Sequence, residues 1–191
     1  MPTTAQDVLD FWFAAANAAH WFAADDAFDA QIRERFGAAV QAAAEGRLDD
    51  WARTPAGWLA LLIVLDQFPR NLYRHDPRAW ATDAGAQRMA LSGLARGDDR
   101  QLPAVQRVFA YLPLEHAEDI ALQRRSVALF EALRAEVPTE QRRLFEAYLD
   151  YARRHLEVIA RFGRFPHRNA ALGRPSTPEE LHYLAQPGAG F

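Results

Sequence analysis

The chain is 191 residues long, half of them apolar, with five Trp and twelve Phe, which suffices for a sizeable core without disulfides or a structural metal. Cysteine is absent, which excludes thiol nucleophiles, disulfides and zinc ribbons and fits a reducing compartment. The formal net charge of −3 is too small to point to nucleic acid or an anionic membrane as a partner. All 22 basic residues are Arg, so Schiff-base chemistry and a P-loop lysine are also excluded; codon bias in a GC-rich genome accounts for the choice.

In chain order, the N-terminus lacks the basic and apolar regions of a signal peptide, which leads us to expect a soluble, cytoplasmic protein. Thr3 or Thr4 is expected to cap a first helix carrying Val8, Leu9, Phe11, Trp12 and Phe13. Asp25 or Asp26 opens a second, with Phe28, Ile32, Phe36 and Val40 at four-residue spacing, and it stops near Gly46. Thr54-Pro55 starts a third that is apolar on every face from Trp58 to Leu65, and so belongs in the middle of the fold. That run is far too short to span a bilayer. Phe68-Pro69 is expected to end this helix, since proline removes a donor and disfavours helical geometry before it.

Thr82 or Asp83 starts a helix to about Gly97, and a shorter one covers Pro103 to Ala110. Pro113 is expected to open a long helix to about Val137. Thr139 should cap the last long one, ending at Gly163, with a core stripe of Leu144, Tyr148, Tyr151, Ile159 and Phe162. Thr177 and Glu180 form a capping box for a final short helix. Strand signals are missing. The expectation is one all-α domain over 1–191, with a loosely ordered tail from Pro187 to Phe191.

Two stretches carry matching polar chemistry: Phe68-Pro69-Arg70-Asn71 with Arg74, and Phe165-Pro166-His167-Arg168-Asn169 with Arg174. Guanidinium and amide donors past a Phe-Pro pair point to an anion site or to a polar network joining helix ends. Read as the first turns of the Pro113 helix, Glu115 and Asp119 share a face at i,i+4 above an apolar stripe. A partly buried carboxylate pair there needs a cation, either as a structural ion pair or in a ligand site. Glu118 is explained by the helix dipole alone. Asp66, at the end of the buried helix, also needs a partner, and Arg70 or an arginine of the second loop would serve. His116 tops a neighbouring stripe. His155 points inward, but helix rise sets it ~10–12 Å below the second loop. The alternative roles for Arg70 and Arg168 are carbonyl caps, and for Asn71 and Asn169 left-handed turns.

No ligand spacing supports a metal at His116, His155, His167, Glu115 and Asp119, and no G-x-S-x-G elbow or Gly-rich phosphate cradle is present. No cofactor is expected. The leading reading is a small anionic ligand held by Arg70, Arg164, Arg168 and Arg174. Glu115, His116 and Asp119 are its candidate acid or base, and Asp66, Asn71, His155, His167 and Asn169 line the site. Both Phe-Pro loops and the start of the Pro113 helix should then converge. The alternative is a helical-repeat-like module whose groove takes a peptide, with architectural polar motifs.

These motifs resemble the bacterial domain-of-unknown-function family numbered 924. The resemblance runs through Val8-Leu9-Asp10-Phe11-Trp12-Phe13, Trp21-Phe22, Asp66 to Asn71, Tyr111 to His116 with Glu118-Asp119, Arg161 to Asn169, Gly173-Arg174 and Ser176 to Glu180. It implies a wholly helical fold similar to the tetratricopeptide-like superfamily and implies no activity.

Overall fold

The computed structural model describes residues 2–190. Among them there are nine α-helices and no strand, so the all-α expectation holds. The chain forms two compact units: one contains the residues up to Arg74 and Arg78–Pro113, the other His75–Pro77 and everything from Leu114 onward. No helix of the described residues is long and apolar enough to cross a membrane.

In the first unit, α1 (Ala5–Trp12) starts at Thr4, whose hydroxyl accepts from the Asp7 N–H while the Asp7 carboxylate accepts from the Thr4 N–H. α2 (Asp26–Ala44) starts at Asp25, which accepts from the Ala27 and Phe28 N–H groups, and Gly46 takes the left-handed turn beyond its end. α3 (Pro55–Leu62) is capped by Thr54 and is buried on all sides from Trp58. Phe28, Ile32 and Phe36 of α2 and Trp12 of α1 complete this core, with Trp12 set edge-on to Phe68 and Phe109.

The Phe68-Pro69 pair does not end the helix, contrary to expectation. α3 passes into a π-turn, Ile63–Gln67, and continues as α4 (Phe68–Leu72). Phe68 donates its N–H to the Ile63 carbonyl, five residues back, and the wider turn makes room for the proline ring. Carbonyls near the proline find side-chain donors instead: the Thr82 hydroxyl donates to Leu65 O (2.6 Å) and Arg70 Nη1 donates to Asp66 O (2.6 Å). Thr82 precedes α5 (Asp83–Arg96), which Gly97 closes in left-handed conformation.

Pro113 likewise lies inside a helix, α6 (Ala104–Glu115), rather than opening one. The next, α7 (Ile120–Glu136), is capped by Asp119, whose Oδ1 accepts from the Ala121 and Leu122 N–H groups. Glu115 and Asp119 therefore do not share a helical face. In the second unit, Thr139 begins a 3-10 turn, and α8 runs Arg142–Phe162 to a left-handed Gly163. Its buried face is Phe145, Leu149, Ala152, His155, Val158 and Ile159. The stripe expected from sequence is displaced, with Leu144 50% and Tyr151 51% exposed. α7 and α8 pack antiparallel, joined by Arg134–Glu146 (2.7 Å) and Arg153–Glu131 (3.0 Å). α9 (Pro178–Leu184) carries the expected capping box. In the tail, Gly190 sits beside the His167 side chain, and Phe191 lies outside the described residues.

Close packing in the first unit generates a test. Gly93 lies against the fully buried Trp58 indole, and a Cβ at that position would overlap the ring. Gly93→Ala should gain about 1 kcal/mol in helix propensity, yet still lose about 1–3 kcal/mol net, since Trp58 has no room to move. A urea midpoint unchanged or raised in this variant would show that the ring yields.

Candidate functional site

In the first unit, the sequence-predicted residues Arg70 and Asn71 engage carboxylates on other segments of that unit, and Asp66 meets its near neighbours Gln67 and Arg70. Arg70 forks onto Asp83, with Nη1–Oδ1 at 3.0 Å and Nη2–Oδ2 at 3.1 Å, and its Nη1 lies 3.4 Å from Asp66 Oδ1. Burial works against the Arg70 charge, but Asp66 and Asp83 outweigh it and raise its pKa. Gln67 Nε2 donates to Asp66 Oδ2 (2.6 Å). Asn71 and Arg74 both reach Asp29 on α2: Asn71 Nδ2 to Oδ1 at 2.8 Å, Arg74 Nε to Oδ2 at 2.5 Å and Nη2 to Oδ1 at 2.9 Å. The expected structural ion pairing of Asp66 with Arg70 is thus present. Asp29 and Asp83, not among the site residues expected from sequence, answer the remaining donors.

In the second unit, the Phe165 loop and the segment after α6 come together. Glu118 accepts from the Phe165 N–H (2.8 Å) and takes a fork from Arg174 (2.6 and 2.9 Å). Burial pushes the Glu118 carboxyl up, but these hydrogen bonds and the Arg174 charge bring it below its ordinary value. Its role as a loop clamp corrects the helix-dipole reading. Arg174 Nε donates to Asn169 Oδ1 (3.0 Å), and Asn169 Nδ2 donates to Glu180 Oε2 (3.2 Å). Arg164 forks onto Glu180 at 2.6 and 2.8 Å. The Arg164 hydrogen bonds are the largest influence on Glu180; with help from Thr177 N–H they overcome burial and hold its pKa down to about 2. Glu180 therefore completes the capping box and answers an arginine at once. Asp119 is an N-cap, and its Oδ1 serves the helix start.

The remaining predicted residues gather around Phe165, which is fully buried. The Arg168 guanidinium lies over the ring at 4.5 Å, the His155 ring meets it edge-on at 5.5 Å, and His167 is 5.6 Å away. This corrects the expected gap between His155 and the loop: after Gly163 the chain turns back, bringing Phe165 onto α8. His116 is 6.0 Å from His155, centroid to centroid. His155 Nδ1 lies 2.8 Å from Tyr151 O and 3.2 Å from Glu115 Oε1. Both neighbours are acceptors, so Nδ1 carries the proton and Nε2 is the acceptor of the ring. Burial, then the charge of His116, and more weakly Arg168 and His167, hold the His155 pKa well below its usual range. The His155 imidazole is thus neutral, its ring oriented by the Tyr151 carbonyl and the Glu115 carboxylate.

The turn linking α6 to α7 is gripped from two sides. Gln123 Nε2 donates to Glu115 O (2.5 Å) and Ala117 O (2.8 Å), while Arg168 Nη2 donates to His116 O (3.0 Å). Gln123 went unnoticed in the sequence; a lone amide near a helix start carries no signal of this use. Among the described residues no three His, Asp or Glu side chains are placed to hold a metal ion.

These shifts fix a pH dependence. Unfolded His155 takes up a proton near pH ~6.5 and folded His155 does not, so stability should fall as pH drops below ~6.5. Glu180 contributes above about pH 4.5, and its contribution should be lost as pH falls through about 2. In urea titrations, His155→Gln should flatten the upper limb and Glu180→Gln the lower one. Unchanged slopes in both variants would contradict the assignment.

A solved structure of a protein of unknown function from Agrobacterium tumefaciens, ATU0120, is similar to this chain, with 42% identity and a TM-score of 0.85. The match covers 95% of this chain and 96% of that one. No curated protein matches the chain. The model of the family described as bacterial protein of unknown function (DUF924) matches residues 8–188, and the chain belongs to that family.

Proposed function

We propose that the second unit binds a small anionic molecule at the cluster of Glu115, His116, His155, His167 and Arg168, with His155 as its acid–base group. The observation that carries this reading is a buried imidazole, held beside Glu115, with the rings of His116 and His167 and the Arg168 guanidinium gathered around it and Phe165. The field that disfavours a second proton on His155 favours an anion beside it. Nε2 then acts as the base, and Glu115 steadies the imidazolium as it forms. Arg70, Arg164 and Arg174, with forks already set on carboxylates, hold the fold in this reading, as do Asp66, Asn71 and Asn169. The absence of Cys fits a reducing, cytoplasmic setting.

A second reading also has support: a protein interaction module in which the polar motifs are architectural. Leu144 and Tyr151 form an exposed apolar stripe on α8 with the half-buried Tyr148, and carboxylate partners account for most of the motif arginines. Thermal unfolding in rising phosphate or acetate separates the two. An anion site should raise the wild-type midpoint with concentration, approaching ~2.7 kcal/mol at a hundredfold excess over Kd. Arg168→Ala should lose that ligand-dependent rise whatever its own stability. If neither anion moves the wild-type midpoint, the module reading takes its place.

A further inference from the structure

Two buried polar atoms on one face of α7 have no hydrogen-bond partner: Gln123 Oε1 and Ser126 Oγ, both on residues 0% exposed. Rotating the Gln123 amide does not help, because its nitrogen is fixed by two carbonyl acceptors, Glu115 O and Ala117 O. Oε1 must therefore face away from that turn. Ser126, three residues on, lies on the same side of the helix. Antiparallel packing, set by Arg134–Glu146 and Arg153–Glu131, brings the turn carrying Ser126 level with His155 on α8. Arg168 holds His116 O, the carbonyl between the two that Gln123 holds. Gln123, Ser126, His155 and Arg168 thus border one interior region of the second unit.

Leaving two such atoms unmet in a buried site is costly, and native proteins rarely do so. An amide oxygen can only accept, and the hydroxyl accepts as well, so the missing partner must bring a donor. We infer that the ligand of this site is a small hydroxy- or amino-carboxylate, whose hydroxyl or ammonium donates to Gln123 Oε1 and Ser126 Oγ while its carboxylate faces Arg168. This inference rests on the anion-site reading above and adds the donor to it. A simple carboxylate of similar size, which has no donor, would leave the two oxygens unmet.

Matched pairs of probes test it: L-lactate against propionate, and glycolate against acetate, by calorimetry and thermal unfolding on the full chain. The hydroxy acid of each pair should bind wild type about twofold to tenfold more tightly than its deoxy partner. Ser126→Ala is the informative variant, because Gln123 also holds the α6–α7 turn, whereas the Ser126 hydroxyl holds nothing. In Ser126→Ala the preference should shrink toward parity while propionate and acetate bind as in wild type. Equal binding within each pair in wild type, or a preference undiminished in Ser126→Ala, would overturn the donor assignment and leave the anion site standing. Should no carboxylate and no phosphate bind at all, the anion site itself falls, and the donor assignment with it.

Discussion

The fork of a guanidinium on a carboxylate is the interaction on which most of this architecture depends. Asp29, Asp83, Glu118 and Glu180 sit on one segment of their unit, and the arginines that answer them sit on another. Each pair ties a loop or helix end to a distant element in a fixed orientation. A carboxylate as buried as Glu180 is tolerated because the fork and the neighbouring amides replace the water it loses. Removing one side of such a pair strands the other without its partner. Lysine cannot take over the role, since a single ammonium cannot span both carboxylate oxygens in plane. The all-arginine composition, whatever its genomic origin, matches this demand.

Phe165 plays the corresponding part for the uncharged contacts of the second unit. Its ring carries a guanidinium on its face and an imidazole against it, so an aromatic side chain sets the spacing between a cation and a base. Its backbone is held just as firmly, with the N–H on Glu118 and the carbonyl on Arg174. Val158 and Ile159 close the ring in from α8. Rigid placement of charged groups by packed apolar ones is what electrostatic preorganisation requires.

Four helix starts were readable in the sequence from a side chain that caps its own backbone: Thr4, Asp25, Thr54 and Thr177 stand where expected, whereas the Asp119 cap was not recognised. Two proline-based expectations failed, at Phe68-Pro69 and at Pro113, while Pro55 opens its helix as expected. In the first, the wider turn and two distant donors satisfy what proline disrupts, and neither is visible locally. Reading the Pro113 stretch as a new helix also placed Glu115 and Asp119 on one face, when Asp119 is the cap of the next helix. The stripe on α8 was displaced because Leu144 and Tyr151 are as apolar as the residues that are buried, while Ala152 counts for little in a periodicity argument although it is fully covered. His155 was placed correctly, as a polar residue on the inward face. Glu118 was missed because its partners lie far along the chain, and Gln123 because a lone amide near a helix start carries no signal of the carbonyls it will hold.

The π-turn between α3 and α4 has a consequence for how this chain tolerates change in length. One residue more per turn amounts to a single-residue insertion that an α-helix has absorbed without breaking, shifting the phase of everything after it by roughly 100°. Arg70, Asn71 and Arg74 point where they do because of that shift: Arg70 toward Asp83, Asn71 and Arg74 toward Asp29. Deleting one residue from Ile63–Gln67 would give a more regular helix and turn all three away from their carboxylates. The irregularity is the setting that brings two faces of one helix into register with two different neighbours.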